Sequence, residues 1–552
     1  MTASTEMLRA LSVPCPLDVP TGRTLRDRVN DPACKWFFDK SVWQKLFRMY
    51  DSSNLNGLVL VYDNPFPALV DSQTQLDTAD SDDESLAYSS SLHRWILENA
   101  AAYQVAVYLK FTLDSGVDET RLCGCLRRVL ESYPEFSGIV VSVNRAWDTL
   151  QNVVAVMDAV RPDAALCISP EDWPDKSAPS LPERRHGRDV LYFVPYTDKY
   201  LVDAKPDSRF RSWVELVGAE NVVADLPVAN FQPWTSFSYD TTEEILENLA
   251  QSGVRGFNLW PLSASDFPRT SDNAFAYQWQ RDMVWYTVWG GKDIERVLAD
   301  RHPKWLERNR RLIPGFQAGS RALELVNLYL NRPGRASLVA ALSAVVNEDS
   351  LKLLSVRDIL GQIEPDGETS WWEEITGDRA VSPAAYIAEG TPDEAYGPDE
   401  LIEELGDLSE QAVAAAEKGM RNASGEKELP ILARDAACMG NLAAFYALRI
   451  GASLALGRGE NDQSVEIMRL AIERYRRIVE VDASHRKAFR LSTTSGTPPP
   501  NPPRNGGGRC GTRLHSFGSV LNALEAELTD ALNGDFGSGA HYEIEEIVAQ
   551  HD

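Results

Sequence analysis

From Gly57 onward the chain alternates short, wholly apolar runs with longer stretches whose apolar positions recur every three to four residues. GLVLVYDN is continuous enough to be a strand buried on both faces, as a parallel sheet requires. After an acidic, Ser-rich stretch, DSQTQLDTADSDDES, that reads as a solvated loop, SLHRWILENAAAY predicts a helix, VAVYLKFTL a strand and DETRLCGCLRRVLESY a helix. The series continues with strand GIVVSVN, helix DTLQNVVAVMDAV, strand AALCIS, strand VLYFVPY, helix SRFRSWVELV, strand NVVADLPV, helix TTEEILENLAQSG and strand GFNLWPL. Strands separated by amphipathic helices predict parallel βαβ units. An open doubly wound sheet usually carries a Gly-rich phosphate loop after its first strand, and neither GxGxxG nor GxxxxGK[ST] follows GLVLV here. The expected fold is therefore α/β, a (β/α)8-type barrel with seven or eight strands, followed by an all-α helical domain.

The expected domains follow from where the pattern changes. Residues 1–56, with the helical segment SVWQKLFRMY stopped by DSSNLNG, read as an N-terminal helical extension, and 57–290 as the barrel. NAFAYQWQRDMVWYTVWGG places aromatic residues at helical spacing, and helices dominate 291–488. Leu442, Phe445, Tyr446 and Arg449 share one face, Ile467, Leu470, Arg474, Tyr475 and Ile478 another, which predicts two long antiparallel helices joined by LGRGEND. The segment 489–513, nearly all of it STTSGTPPPNPPRNGGGRCGTR, is too rich in Pro and Gly for a core helix and reads as a linker to a last helix and tail, 514–552.

Composition narrows the classes of function. The chain of 552 residues has 43% hydrophobic and 25% charged residues, normal for globular protein, and carries a net charge of −26. It is Arg-rich and Lys-poor, and no concentrated basic face is visible, so a nucleic-acid partner is not expected. No secretory signal or membrane span is evident, and a cytoplasmic location is expected. Seven scattered cysteines, Cys15, Cys34, Cys123, Cys125, Cys167, Cys438 and Cys510, make no disulfide framework. Cys123 and Cys125 lack a second pair or a His at ligand spacing, so neither a metal site nor a cofactor is expected. His residues are too scattered for a Ser–His–Asp triad.

In a β/α barrel the active site forms at the carboxyl ends of the strands. That rule selects Asp63 and Asn64 after GLVLV, Lys110 within VAVYLKFTL, Asn144 and Arg145 after GIVVSV, and Glu171 and Asp172 after AALCIS. It adds Tyr196, Asp198 and Lys199, then Asp225, Asn230, Trp234, Tyr239 and Asp240, and finally Asn258 and Trp260. Such a set suits glycosidic bond cleavage, which needs one carboxylic acid and one carboxylate across a sugar. Asp198 is the candidate acid and Asp225 or Asp240 the candidate base. Trp234, Tyr239 and Trp260 would stack on pyranose rings, the Asn side chains would bind hydroxyls, and Lys110, Lys199 or Arg145 would meet a uronate carboxylate. Plainer readings stand beside these: Asp225 as a structural carboxylate, Asp240 as a helix cap, Asp198 as a solvated loop acid, Trp260 as packing at the barrel end. SWWEEITG, residues 370–377, pairs two carboxylates with two Trp residues but reads as packing outside the barrel.

The order of segments resembles bacterial and archaeal glycoside-hydrolase-like proteins related to α-glucuronidases, in which a barrel is followed by a helical domain. The resemblance rests on SVWQKLFRMYDSSNLNGLVLVYD, GVRGFNLWPLSASDF and FAYQWQRDMVWYTVWGGKDIERVLADRHPKWL, and extends into LAAFYALRIGASLALG and SVEIMRLAIERYRRIVEV. It implies a hydrolase acting on a uronate-bearing oligosaccharide or polysaccharide. Such proteins commonly begin with a further α/β domain, where this chain has about fifty residues. Some carry a Glu where NRAW places Asn144 and Arg145 here. That departure keeps open the alternative of a carbohydrate-binding or scaffold barrel without catalysis.

Overall fold

The computed structural model describes residues 7–17, 24–31, 34–71, 83–113, 118–143, 147–170, 189–197, 204–228, 239–261, 285–301, 303–330, 338–339, 344–346, 351–361, 379–392, 395–422, 429–483, 489–491, 513–515, 517–537 and 542. Eight parallel strands close into a barrel: β1 Leu8–Pro14, β2 Gly57–Val61, β3 Ala106–Leu113, β4 Gly138–Val143, β5 Ala165–Pro170, β6 Val190–Pro195, β7 Val222–Val228 and β8 Gly256–Pro261. Seven of them are the apolar runs read from the sequence. The eighth is new: β1 lies within the segment expected to be a helical extension and closes the barrel between β8 and β2. The barrel thus begins at Leu8 rather than Gly57. Arg9 and Ser12 interrupt the apolar run LRALSVP, which hid it. The expected helix is also there, Lys40–Ser53, started by Asp39 accepting from the Ser41 amide and ended by Asn54 in the left-handed region at φ 58°.

Along each strand the side chains alternate. Leu58, Leu60, Leu109, Phe111, Ile139, Val141, Phe257 and Leu259 face the surrounding helices in one large core, while Leu8, Ala10, Val59, Tyr108, Val140, Cys167, Leu191, Phe193 and Val223 fill the barrel itself. Both faces are apolar, so the strands read as unbroken runs. Closure is tight at the amino-terminal end, where a Cβ on Gly256 would stand 2.0 Å from the Leu8 carbonyl oxygen. Helices Asp83–Ala102, Glu119–Ser132, Trp147–Val160, Ser208–Val217 and Tyr239–Ser252 follow strands as expected, with Asp118 and Asp207 capping two of them.

The helical domain packs Leu312–Leu330, Pro398–Arg421, Leu429–Gly457, Asn461–Ala483 and Phe517–Leu532 around a second core. The two long helices expected around LGRGEND are Leu429–Gly457 and Asn461–Ala483. The first is long and apolar enough to cross a membrane, but 78% of its most apolar window is buried, the setting of a core helix. Arg449, on this helix, pairs with Glu527 at 2.5 Å and donates to the Leu354 carbonyl, while Glu527 also accepts from the Val356 amide at 2.7 Å. The ends of the expected linker, Phe489–Leu491 and Arg513–His515, pair as short antiparallel strands; the rest of 489–513 and SWWEEITG lie outside the described residues.

Residues 285–289 are helical and serve both cores. Tyr286 and Trp289 belong to the barrel's core and Trp285 and Val288 to the helical one, with Trp289 against Phe257 and Trp285 stacked on Phe316 at 4.5 Å. Next to them Asn54 donates to the Gly290 carbonyl at 3.1 Å, and Lys292 donates to the Ser52 carbonyl.

Candidate active site

The inward alternation turns polar at the carboxyl ends of the strands. On β3 the inward series runs Tyr108, Lys110, Thr112; on β7 it runs Val223, Asp225; on β8 it runs Gly256, Asn258, Trp260. Four of the sequence candidates, Lys110, Asp225, Asn258 and Trp260, therefore meet in one cluster at the mouth of the barrel. Asn258 is fully buried and acts as its pivot. Its amide nitrogen donates to Asp225 Oδ1 at 2.6 Å and to Ser12 Oγ at 2.9 Å, and Ser12 Oγ lies 3.1 Å from Asn258 Oδ1. Lys110 Nζ stands 3.9 Å from Asp225 Oδ2, donates to Ser169 Oγ at 3.3 Å and lies 4.5 Å from the centre of the Trp260 ring. The Lys110 side chain is 5% exposed and that of Asp225 14%.

Burial raises the proton affinity of Asp225 above the ordinary carboxylate range, because a buried charge loses its hydration; Lys110 and the Asn258 hydrogen bond pull it back only in part. A carboxyl at a barrel mouth with this balance is suited to hold and give up a proton. The floor beside it is lined by hydroxyls. Ser142 of β4 lies in register between Thr112 and Ser169, and its buried Oγ meets no hydrogen-bond partner among the described residues.

Other candidates take other places. Asp63 and Asn64 line a cavity of about 190 Å³ with Phe66, Phe111, Thr112 and Arg121, and Asn64 also accepts from the Phe66 amide at 3.3 Å, a turn-forming role. Tyr239 packs toward the helical core, and burial beside Glu243 raises its phenol. Asp240 is exposed in the first turn of Tyr239–Ser252, inside the helix rather than capping it, and has no hydrogen bond or ion pair with the Asp225 cluster among the described residues. Tyr196 is buried and donates to the Ala204 carbonyl, tying down the chain after β6. Asp198, Lys199, Asn144, Arg145, Asn230, Trp234, Glu171 and Asp172 lie outside the described residues.

Sequence reasoning missed Ser12 and Ser169, the hydroxyls that steady Asn258 and Lys110. The signal was available in their parity: Ser12 is two residues beyond Ala10, and Ser169 two beyond Cys167, both inward. It also left His93 without a role. The fully buried imidazole accepts at Nε2 from Tyr62 Oη at 2.5 Å while Nδ1 donates to the Ser89 carbonyl at 2.8 Å, and burial depresses it to about 4. Among the described residues no three His, Cys, Asp or Glu side chains gather as a metal site would require.

No protein-family model matches the sequence, and no curated protein matches it. Solved structures do. The GH138 enzyme targeting pectin rhamnogalacturonan II superposes with a TM-score of 0.73 at 16% identity, over 95% of this chain and 67% of its own. CpGH84B gives a TM-score of 0.38 at 10% identity over 86% and 74%, and the catalytic domain of the major endoglucanase from Xanthomonas campestris pv. campestris 0.31 at 14% over 45% and 88%. These neighbours are glycoside hydrolases, and the first shares both the barrel and the helical region. At such identity the likeness is one of fold, and it does not single out the α-glucuronidase kind.

Proposed function

We propose that the protein is a glycoside hydrolase that cleaves an acidic, uronate-bearing glycan at the mouth of the barrel. The observation that carries this reading is the Asp225 carboxyl, buried at a strand end, pushed up in proton affinity and oriented by Asn258 and Lys110. Its raised affinity suits the acid that protonates a glycosidic oxygen, so Asp225 takes the role first given to Asp198, and Asp198 becomes the second carboxyl. Trp260 offers an aromatic edge at the same mouth, and the GH138 enzyme similar in fold is one targeting pectin rhamnogalacturonan II. Acidic sugars are the expected class; Arg145 and Lys199 are their proposed partners.

The test is release of reducing ends from a panel of uronide and neutral oligosaccharides, followed for the parent and Asp225→Asn. Hydrolysis of a uronide by the parent, lost in Asp225→Asn with binding retained, is the expected result. Calorimetric binding of the same glycans with no turnover by the parent would replace this reading with that of a binding barrel.

A further inference from the structure

Lys110 was a candidate for gripping the substrate's acidic group, yet its surroundings argue for different work. Its ammonium is lodged inside the barrel mouth against Ser169 Oγ at 3.3 Å, the Trp260 ring at 4.5 Å and Asp225 Oδ2 at 3.9 Å. An ammonium is a compact, strongly hydrated charge, and burying it is costly unless an opposite charge accompanies it. Here that charge is Asp225. A separation of 3.9 Å is too long for a shared hydrogen bond, so the two act on each other as charges.

The other described groups facing Asp225 are neutral. From β8 comes the Asn258 amide, held in turn by Ser12 of β1; from β6 comes Pro195, its neighbour in register. Among the described residues Lys110 is the one charged group in contact with the Asp225 carboxyl. We propose that Lys110 is a positioning residue: held by Ser169 and Trp260, it sets the charge and orientation of the Asp225 carboxyl rather than receiving the substrate's carboxylate. Asn258 aims one carboxyl oxygen and Lys110 faces the other, so the proton must settle on an oxygen whose field Lys110 controls. Loss of the ammonium leaves burial opposed by the Asn258 hydrogen bond alone, and the carboxyl keeps its proton to higher pH.

The inference rests on Asp225 as the proton-transferring carboxyl, but its test reads protonation without turnover. Isotope-edited carboxyl NMR, with the Asp225 signal assigned by its disappearance in Asp225→Asn, follows the titration in the folded full chain. Lys110→Met should raise the Asp225 midpoint by about one pH unit or more, and Lys110→Arg should return it toward the parent. Ser169→Ala, which keeps the charge but loosens it, should move the midpoint the same way by less. Where hydrolysis is measured, the limb of the kcat/KM profile that belongs to Asp225 should follow. An unmoved midpoint in Lys110→Met overturns the inference; if that variant does not fold, Lys110→Gln decides by the same criterion. A raised KM for uronides with an unmoved midpoint also overturns it and returns Lys110 to substrate binding. Uronide hydrolysis lost in Asp225→Asn beside an unmoved midpoint leaves the function standing and removes this role. A moved midpoint in a protein that hydrolyses nothing does the reverse.

Discussion

Among the described residues two pairs of opposite charges are buried, and they are built differently. In the helical domain Arg449 meets Glu527 at 2.5 Å; a second nitrogen reaches the Leu354 carbonyl, and the second carboxylate oxygen takes the Val356 amide. Most of the hydrogen-bonding capacity of the pair is used up at once, on backbone from another segment. At the barrel mouth Lys110 and Asp225 stand 3.9 Å apart, one carboxyl oxygen is directed by Asn258, and the acid's proton affinity is raised. A sealed pair fixes chain segments in place, whereas a loose one keeps a proton negotiable. On the proposed function, this difference in geometry separates a structural charge pair from a reactive one.

The comparison breaks first at Asp225. Asp225→Asn should lower kcat/KM on a cleavable uronide by roughly a hundred- to ten-thousand-fold, the scale of lost acid catalysis, while the protein still melts cooperatively. A variant that keeps its rate would make Asp225 as structural as Glu527. The mirror experiment is Arg449→Leu, expected to destabilise the fold by about 3–5 kcal/mol in urea titrations because it strands Glu527 among apolar neighbours. Arg449→Met combined with Glu527→Leu should recover part of that loss, and neither should alter kcat per folded molecule.

A third buried polar contact sharpens the contrast through pH. In the fold His93 is held neutral by burial and titrates near 4 instead of 6.5, so the unfolded chain takes up the extra proton between those values. Its contribution is present in full above about pH 6.5 and is lost as pH falls toward 4, a change of roughly 3 kcal/mol. Urea midpoints across that window, for the parent and His93→Gln, should show this slope only in the parent. Smallest of all, Ser12→Ala removes one support of Asn258 and should cost about 1 kcal/mol with a few-fold fall in kcat. A larger loss of rate than of stability would place Ser12 on the reactive side of the divide.

Much of the fold was legible because parallel strands buried on both faces leave apolar runs that parity can sort. Seven strands followed from that alone, and the long helix pair from apolar faces recurring at helical spacing. β1 escaped because its inward residue at the mouth is Ser12 and Arg9 breaks the run at the other end; a strand that serves the site looks less like a strand. For the site, Lys110, Asp225, Asn258 and Trp260 could be picked out by position at strand ends. Their mutual arrangement could not, since Asn258 and Ser12 are 246 residues apart and meet only through closure of the barrel. Lys110 shows the limit: residue type names a charge, and its burial beside Asp225 could not be read from the sequence.

The short helix at residues 285–289 has a consequence for how the molecule comes apart. Its apolar side chains are divided between the two cores, Tyr286 and Trp289 on one side and Trp285 and Val288 on the other, so neither half can loosen without uncovering aromatic surface of its neighbour. Cutting the chain on either side of this helix removes packing from one half whichever half keeps it. Barrel and helical domain are thus expected to melt as one cooperative unit, and a calorimetric scan resolving two separate transitions would show that the shared rings do not couple them.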